Sequence, residues 1–195
     1  KSFACKDIIK YEVREVSQGI IFENEEYRLE AQPLKHSVPC VGYSFIEKGR
    51  WRINVAKAEK LGLNGPVLGK LQQGEDVIVN GKKIKSKEVT YPIEEKKVSY
   101  IADTIPCNGA NALAKDADLL VCESSFSSEE KERAKEYQHL TAADAAAIAK
   151  KAKAKKLILT HISQRYEHMP KIIEKEAKKI FKNVQLVKDF DVVVV

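Results

Sequence analysis

Only four histidines occur in the 195 residues, so each can be weighed individually. Three of them stand at boundaries between elements predicted by the hydrophobic pattern. His36 follows a strand ending at Leu34, His139 precedes an Ala-rich helix, and His161 closes the strand Leu157–Thr160. Asp103 holds the same kind of place after the apolar run Val98–Ala102. Imidazole nitrogens and a carboxylate delivered from separate strand ends are the donors that Zn2+ or a similar divalent ion takes. In α/β sheets the loops at strand C-termini are where ligands and metals gather. For any one of these residues a hydrogen-bonded turn or strand-end side chain is the ordinary explanation. The residues alone leave both readings open. His168, in the polar stretch Tyr166–Pro170, reads as a solvated surface residue.

Elements that could position these groups follow from pattern and turn chemistry. From Ile8 to Ile46 the chain is strand-like, with a hairpin in which Glu23–Glu26 turns between Ile20–Phe22 and Tyr27–Ala31, then a strand over Val41–Ile46. Residues 47–97 differ in character. They are rich in lysine, arginine and glycine, with a short helix predicted over Asn54–Leu61 capped by Asn54. A hairpin is predicted at Asn80-Gly81. The segment holds twelve basic and seven acidic residues, most of the chain's formal excess of +6, and little core-forming material. It reads as an insertion projecting from the body. After Lys97 strands and helices alternate: strands at Val98–Ala102, Ala117–Cys122, Leu157–Thr160, Val184–Val187 and Val192–Val195, and helices at Ala110–Ala114, Thr141–Lys156 and Pro170–Phe181. Continuous apolar strands between helices indicate an α/β (α+β) sheet covered by helices on at least one face.

Composition bounds the partners. A pI near 9.0 favours acidic partners, nucleic acid first among them. Cys5, Cys40, Cys107 and Cys122 are too widely spaced for a zinc-finger or disulfide framework and are expected to be reduced, partly buried thiols. The longest apolar runs are too short to cross a bilayer, and no N-terminal leader pattern is present. The expectation is a soluble, cytoplasmic protein without a membrane partner.

Several segments, in order along nearly the whole chain, resemble ribonuclease Z of the metallo-β-lactamase superfamily. Tyr100–Cys107 is similar to that family's strand-end Gly-Asp-Thr segment, and Val121–Phe126 to its His-Glu-Ala-Thr segment. His139–Ala142 resembles its His-Ser-Thr, and Leu159–Tyr166 its Thr-His-Phe-Ser-x-Arg-Tyr. His36–Tyr43 matches the stretch around its middle histidine ligand, and Leu63–Gly74 resembles the arm that grips tRNA. Three departures are visible. Ala102 stands where a glycine is usual before Asp103, and Cys122 replaces the histidine of His-Glu-Ala-Thr. The family's His-x-His-x-Asp-His loop has no counterpart in these residues, since no two histidines lie closer than His161 and His168.

The resemblance implies a metallo-β-lactamase αββα sandwich, represented by core strands over 1–46, an exosite arm over 47–97 and a C-terminal half over 98–195. It implies two Zn2+ ions per site, with Mn2+ or Mg2+ as substitutes, held by His36 and His161 and bridged by Asp103. Three ligands shared by two ions would hold each poorly. His139 would donate a proton to the leaving oxygen, with Glu123 orienting its imidazole, and Arg165 would contact phosphate. Arg50, Arg52, Lys82, Lys83, Lys85 and Lys87 would grip the backbone of precursor tRNA, the substrate of a homodimeric 3′-processing endoribonuclease. For Glu123 and Arg165 an exposed strand-end carboxylate and a surface salt bridge are the ordinary alternatives. Two rival functions remain: a phosphodiesterase of the same fold, and an RNA-binding module without catalysis.

Overall fold

Alternating apolar and polar residues build the first hairpin. β1 (Gly19–Glu23) and β2 (Tyr27–Leu34) pair antiparallel across a turn in which Asn24 accepts hydrogen bonds from the backbone N–H groups of Glu26 and Tyr27. The structure, a computed structural model, describes residues 12–195, so the strand-like onset read at Ile8 and the thiol of Cys5 lie outside the described residues. β3 (Cys40–Glu47) adds antiparallel to β2. The chain then leaves the sheet through β4 (Arg50–Ile53), α1 (Val55–Lys60), α2 (Pro66–Gln72), β5 (Val77–Val79), β6 (Lys82–Ile84), α3 (Ser86–Val89) and β7 (Thr90–Ile93). It returns as β8 (Lys96–Ile101), followed by α4 (Asn108–Ala114), β9 (Leu119–Glu123), α5 (Lys131–Glu136), α6 (Ala142–Lys151), β10 (Lys156–Thr160), α7 (Lys171–Ile180) and β11 (Val184–Leu186).

Seven strands form the main sheet in the order β1-β2-β3-β8-β9-β10-β11, with β8 to β11 mutually parallel. α4, α6 and α7 cover one face: Leu113, Ala145, Ala149 and Ile173 pack with Ile101, Leu120, Leu157 and Leu159 in one buried cluster. Cross-strand register puts Tyr43 opposite Tyr100 and Phe45 opposite Val98 on the other face. There Tyr43, Phe45 and Tyr100 are 39%, 42% and 50% exposed, so that face is open at β3 and β8, while Leu119 and Ile158 on the strands beyond are buried. The described residues thus form one sheet with its helix layer, half of the αββα sandwich expected.

Where the elements differ from expectation, the causes are local. The Ala-rich helix stops at Lys151 instead of reaching Lys156, because Lys153 turns the chain at φ 57° into β10. Its start is as expected, with Thr141 and Asp144 forming a reciprocal capping box. Val192–Val195 forms no strand: Val192 and Val194 are 89% and 85% exposed, and β-branched side chains make a strand only where a neighbour accepts its hydrogen bonds. The insertion is not poor in core. Ala58, Leu63, Leu71, Val77, Ile84 and Val89 close a separate cluster, which Ser86 reinforces by donating from Oγ to the Leu71 carbonyl at 2.7 Å. These residues come from six short segments, none long enough to read as a core element alone. Glu47 pairs directly with Lys96 across β3 and β8, so the whole insertion departs and returns at one point of the sheet. The Asn54 cap and the Asn80-Gly81 hairpin are as expected, with φ 51° and 73° at the two turn residues. No helix among the described residues is long and apolar enough to cross a membrane.

Gly109 lets α4 lie against β2, just upstream of His36. A Cβ there would stand 1.9 Å from the Pro33 carbonyl oxygen. Backbone cannot swing away as a side chain can. Gly109→Ala is therefore expected to cost about 1–3 kcal/mol in urea-denaturation stability, and an unchanged midpoint would show that α4 is less tightly seated.

Candidate active site

Three adjacent parallel strands deliver three of the site's side chains at one edge of the sheet. Asp103 follows β8, Glu123 ends β9 and His161 follows β10, while His139 enters from the segment between α5 and α6. One ligand-type atom from each of the four lies within 4.8 Å of those of the others. His139 Nδ1 is 3.0 Å from Glu123 Oε2, and His161 Nδ1 is 3.3 Å from Asp103 Oδ1.

Glu123 is the hub. Its side chain is 0% exposed, which removes the reading of a solvated strand-end carboxylate. Oε1 accepts from the Thr104 N–H, and Oε2 from Ser125 Oγ at 3.1 Å, the Leu140 N–H at 3.2 Å and His139 Nδ1. A carboxylate can only accept here, so His139 carries its proton on Nδ1 and Nε2 remains for other work. With both oxygens committed to protein donors, Glu123 suits the role of orienter better than that of metal ligand.

Thr104 and Ser125 were not singled out by sequence, although both lie inside the resembling segments. Thr104 is buried; its Oγ1 accepts from the Lys35 N–H at 3.0 Å, and the neighbouring Ile105 N–H donates to the Lys35 carbonyl at 3.0 Å. These bonds stitch the loop bearing His36 to the one bearing Asp103. Ser125 Oγ lies 2.8 Å from the His161 carbonyl and 3.3 Å from its Nδ1. Three of the seven non-glycine residues with positive φ among the described residues lie here: Asp103, Gln138 and His161, at φ of 52°, 60° and 52°. Each non-glycine residue in this region costs about 1–3 kcal/mol and persists only where its surroundings over-determine it.

His36 is brought beside the group without joining the four. Its ring centroid is 5.1 Å from that of His139, which is 5.2 Å from His161, and its Nδ1 is 3.1 Å from the Gln138 carbonyl oxygen. His168 is exposed and lies apart from the other histidines, as expected. A cavity of about 370 Å³ opens over the site, lined by Phe126, Tyr137, His139, His161 and Arg165 among others. A larger one, about 600 Å³, runs between α7 and β11, lined in part by Tyr166, Pro170 and Leu186, and holds none of the histidines.

Arg165 makes a surface ion pair and also lines the smaller cavity. Nη1 donates to both Glu130 oxygens at 2.5 and 2.6 Å, Nε donates to Ser163 Oγ at 3.1 Å, and the guanidinium lies 5.1 Å over the Phe126 ring. On the insertion, Arg50 pairs with Glu47 at 2.8 Å and Lys83 with Asp76 at 3.1 Å. Arg52, Lys82, Lys85 and Lys87 are exposed and pair with no carboxylate among the described residues. None of the six lines the cavity over the histidines.

Comparison with known proteins bears on the fold. A family model described as a Beta-lactamase superfamily domain matches residues 73–162. Human tRNase Z, short form, superposes with a TM-score of 0.55 at 25% identity, covering 91% of this chain and 47% of that one. The metallo-beta-lactamase fold protein YhfI from Bacillus subtilis superposes at 0.58 with 18% identity, covering 92% and 56%. The chain therefore carries the metallo-β-lactamase fold. Within that class its curated relatives are named Ribonuclease Z: the Methanosarcina mazei protein is 42% identical over 186 residues, and the Bacillus mycoides protein 38% over 189. The chain spans about three-fifths of their length, 61% and 62% respectively.

Glu130 is held below the ordinary carboxylate range by its hydrogen bond from Arg165, then by that from Tyr166. A carboxyl with a depressed folded-state pKa stabilises the fold above its unfolded value, near 4.5, and loses that contribution as pH falls through the depressed one. Glu130→Gln should thus be less stable than the parent at pH 7. The difference should vanish in denaturation curves taken below the usual carboxylate range; a difference independent of pH would show that the ion pair is not its source.

Proposed function

We propose that this chain belongs to an endoribonuclease that removes the 3′ trailer from precursor tRNA by hydrolysis of one phosphodiester. The observation that supports it most is the convergence of Asp103, His139 and His161 around the buried Glu123, in a chain 42% identical to a protein named Ribonuclease Z. The donor set fits a divalent ion: a carboxylate and imidazoles at three loop ends, with strain at Asp103 and His161 that suits preorganised ligands. His161 and His36 would each hold one of two ions and Asp103 would bridge them, Zn2+ first, with Mn2+ or Mg2+ as substitutes. Such ions, when bound, polarise the phosphodiester and make a bound water more acidic.

The protein's own groups would do the rest. Water attacks phosphorus and the bond to the 3′ oxygen breaks, leaving a 3′-hydroxyl on the tRNA and a 5′-phosphate on the trailer. His139, charged with a second proton on Nε2, gives that proton to the departing oxygen and returns to the Nδ1–H form, while the proton released by the attacking water passes to solvent. The Glu123 carboxylate on Nδ1 holds the ring in place and steadies its charged form. Arg165, immobilised by Glu130, Ser163 and Phe126, lines the cavity where a phosphate flanking the cut would lie. Residues 47–97 would act as the arm that holds the body of the tRNA, through Arg50, Arg52, Lys82, Lys83, Lys85 and Lys87. In a cytoplasmic homodimer such an arm could reach the partner's site.

Two experiments test this reading. With a precursor tRNA and Zn2+ or Mn2+, the protein should release trailer, and His139→Ala should lower kcat by about 10²–10⁴. Cleavage unaffected by that change would sink the assignment of His139. Replacing Lys82, Lys83, Lys85 and Lys87 together by alanine should weaken tRNA binding and flatten the salt dependence by about one unit of log–log slope for each phosphate no longer neutralised. An unaltered slope would place the tRNA grip elsewhere.

A further inference from the structure

His36 and Gln138 are 102 residues apart in sequence, yet the Gln138 carbonyl oxygen lies 3.1 Å from His36 Nδ1. A carbonyl oxygen has no proton to give, so this hydrogen bond requires the proton on Nδ1 and leaves the Nε2 lone pair free. What aims that carbonyl is the left-handed conformation of Gln138, φ 60°, immediately after Tyr137 ends α5. The His139 N–H returns to the Ala134 carbonyl at 2.8 Å, closing the helix end around it. The glutamine side chain offers no reason of its own for the conformation, because Oε1 is buried and has no hydrogen-bond partner among the described residues. The backbone is the functional part.

We infer that Gln138 is a positioning residue, whose main-chain carbonyl locks His36 in the Nδ1–H tautomer and so presents Nε2 as a ligand atom. One peptide turn then serves two imidazoles. Its carbonyl holds His36, and the next residue is His139, whose Nδ1 is held by Glu123 at 3.0 Å. The anchoring of His36 follows from the geometry alone; its use in metal binding rests on the function proposed above.

The test reads the tautomer in the metal-free chain, by long-range ¹H–¹⁵N correlation of the ring nitrogens at about pH 8.5, where an ordinary imidazole is neutral. His36→Gln identifies the His36 signals by their loss. His36 should be Nδ1–H in the parent and in Gln138→Gly, which keeps the left-handed turn, and mixed in Gln138→Val, whose β-branched side chain resists it. Zn2+ affinity, measured by competition with a chelating dye, should fall at least tenfold in Gln138→Val and hold in Gln138→Gly. A parent ring protonated mainly on Nε2 overturns the inference, as does a valine variant that retains the Nδ1–H form. Should the valine variant not fold, the parent tautomer decides by itself. Tautomers as expected with unchanged Zn2+ affinity would keep the positioning role and remove His36 from the metal ligands.

Discussion

A single buried carboxylate, Glu123, is the constraint on which the site depends. A carboxylate with no exposure is tolerable only where its lone pairs are met by donors. The donors that meet it come from three different loops: Thr104 after β8, Ser125 after β9, and His139 with Leu140 before α6. Satisfying Glu123 therefore fixes the relative positions of the loops that carry Asp103 and His139. The Ser125 hydroxyl, with one proton shared between Glu123 Oε2 and the His161 carbonyl, extends the arrangement to His161. Loss of any one donor would leave a desolvated charge and slacken the others with it.

The strand order explains why those loops meet. β8, β9 and β10 are neighbours and parallel, so their C-terminal ends fall at one edge. The crossovers that parallel pairing demands place α4 and α6 on the helix-covered face. The same connectivity forces turns at strand ends, and Asp103 and His161 absorb them in left-handed conformations. Strain and chemistry share those positions because a residue whose backbone is over-determined can also hold its side chain still.

The basic segment solves a different problem. It leaves the sheet between Glu47 and Lys96, directly paired residues, so its own packing barely perturbs the main sheet. A cluster around Leu71 and Val89 lets it keep a shape of its own and carry exposed lysines. A packed segment presents its lysines with less conformational entropy left to lose than a flexible loop would.

Much of this was legible in the sequence. Periodicity and turn chemistry located β1 to β3, the Asn54 and Thr141 caps, the Asn80-Gly81 hairpin and the alternation after Lys97, because each depends on a few adjacent residues. Residue type at element boundaries made candidates of His36, Asp103, His139 and His161. Tertiary structure decided the rest. That Glu123 is a buried hub and not a solvated carboxylate, and that Thr104 and Ser125 serve it, depends on hydrogen bonds between segments 17 to 19 residues apart or on a hydroxyl's surroundings. The core of the basic segment was hidden because it is assembled from fragments too short to show a period. Four valines at the end of the chain have strong strand preference, yet only a neighbouring edge could make them a strand. Local rules set what each segment can be; which polar groups must share one buried place is settled only when distant segments come together.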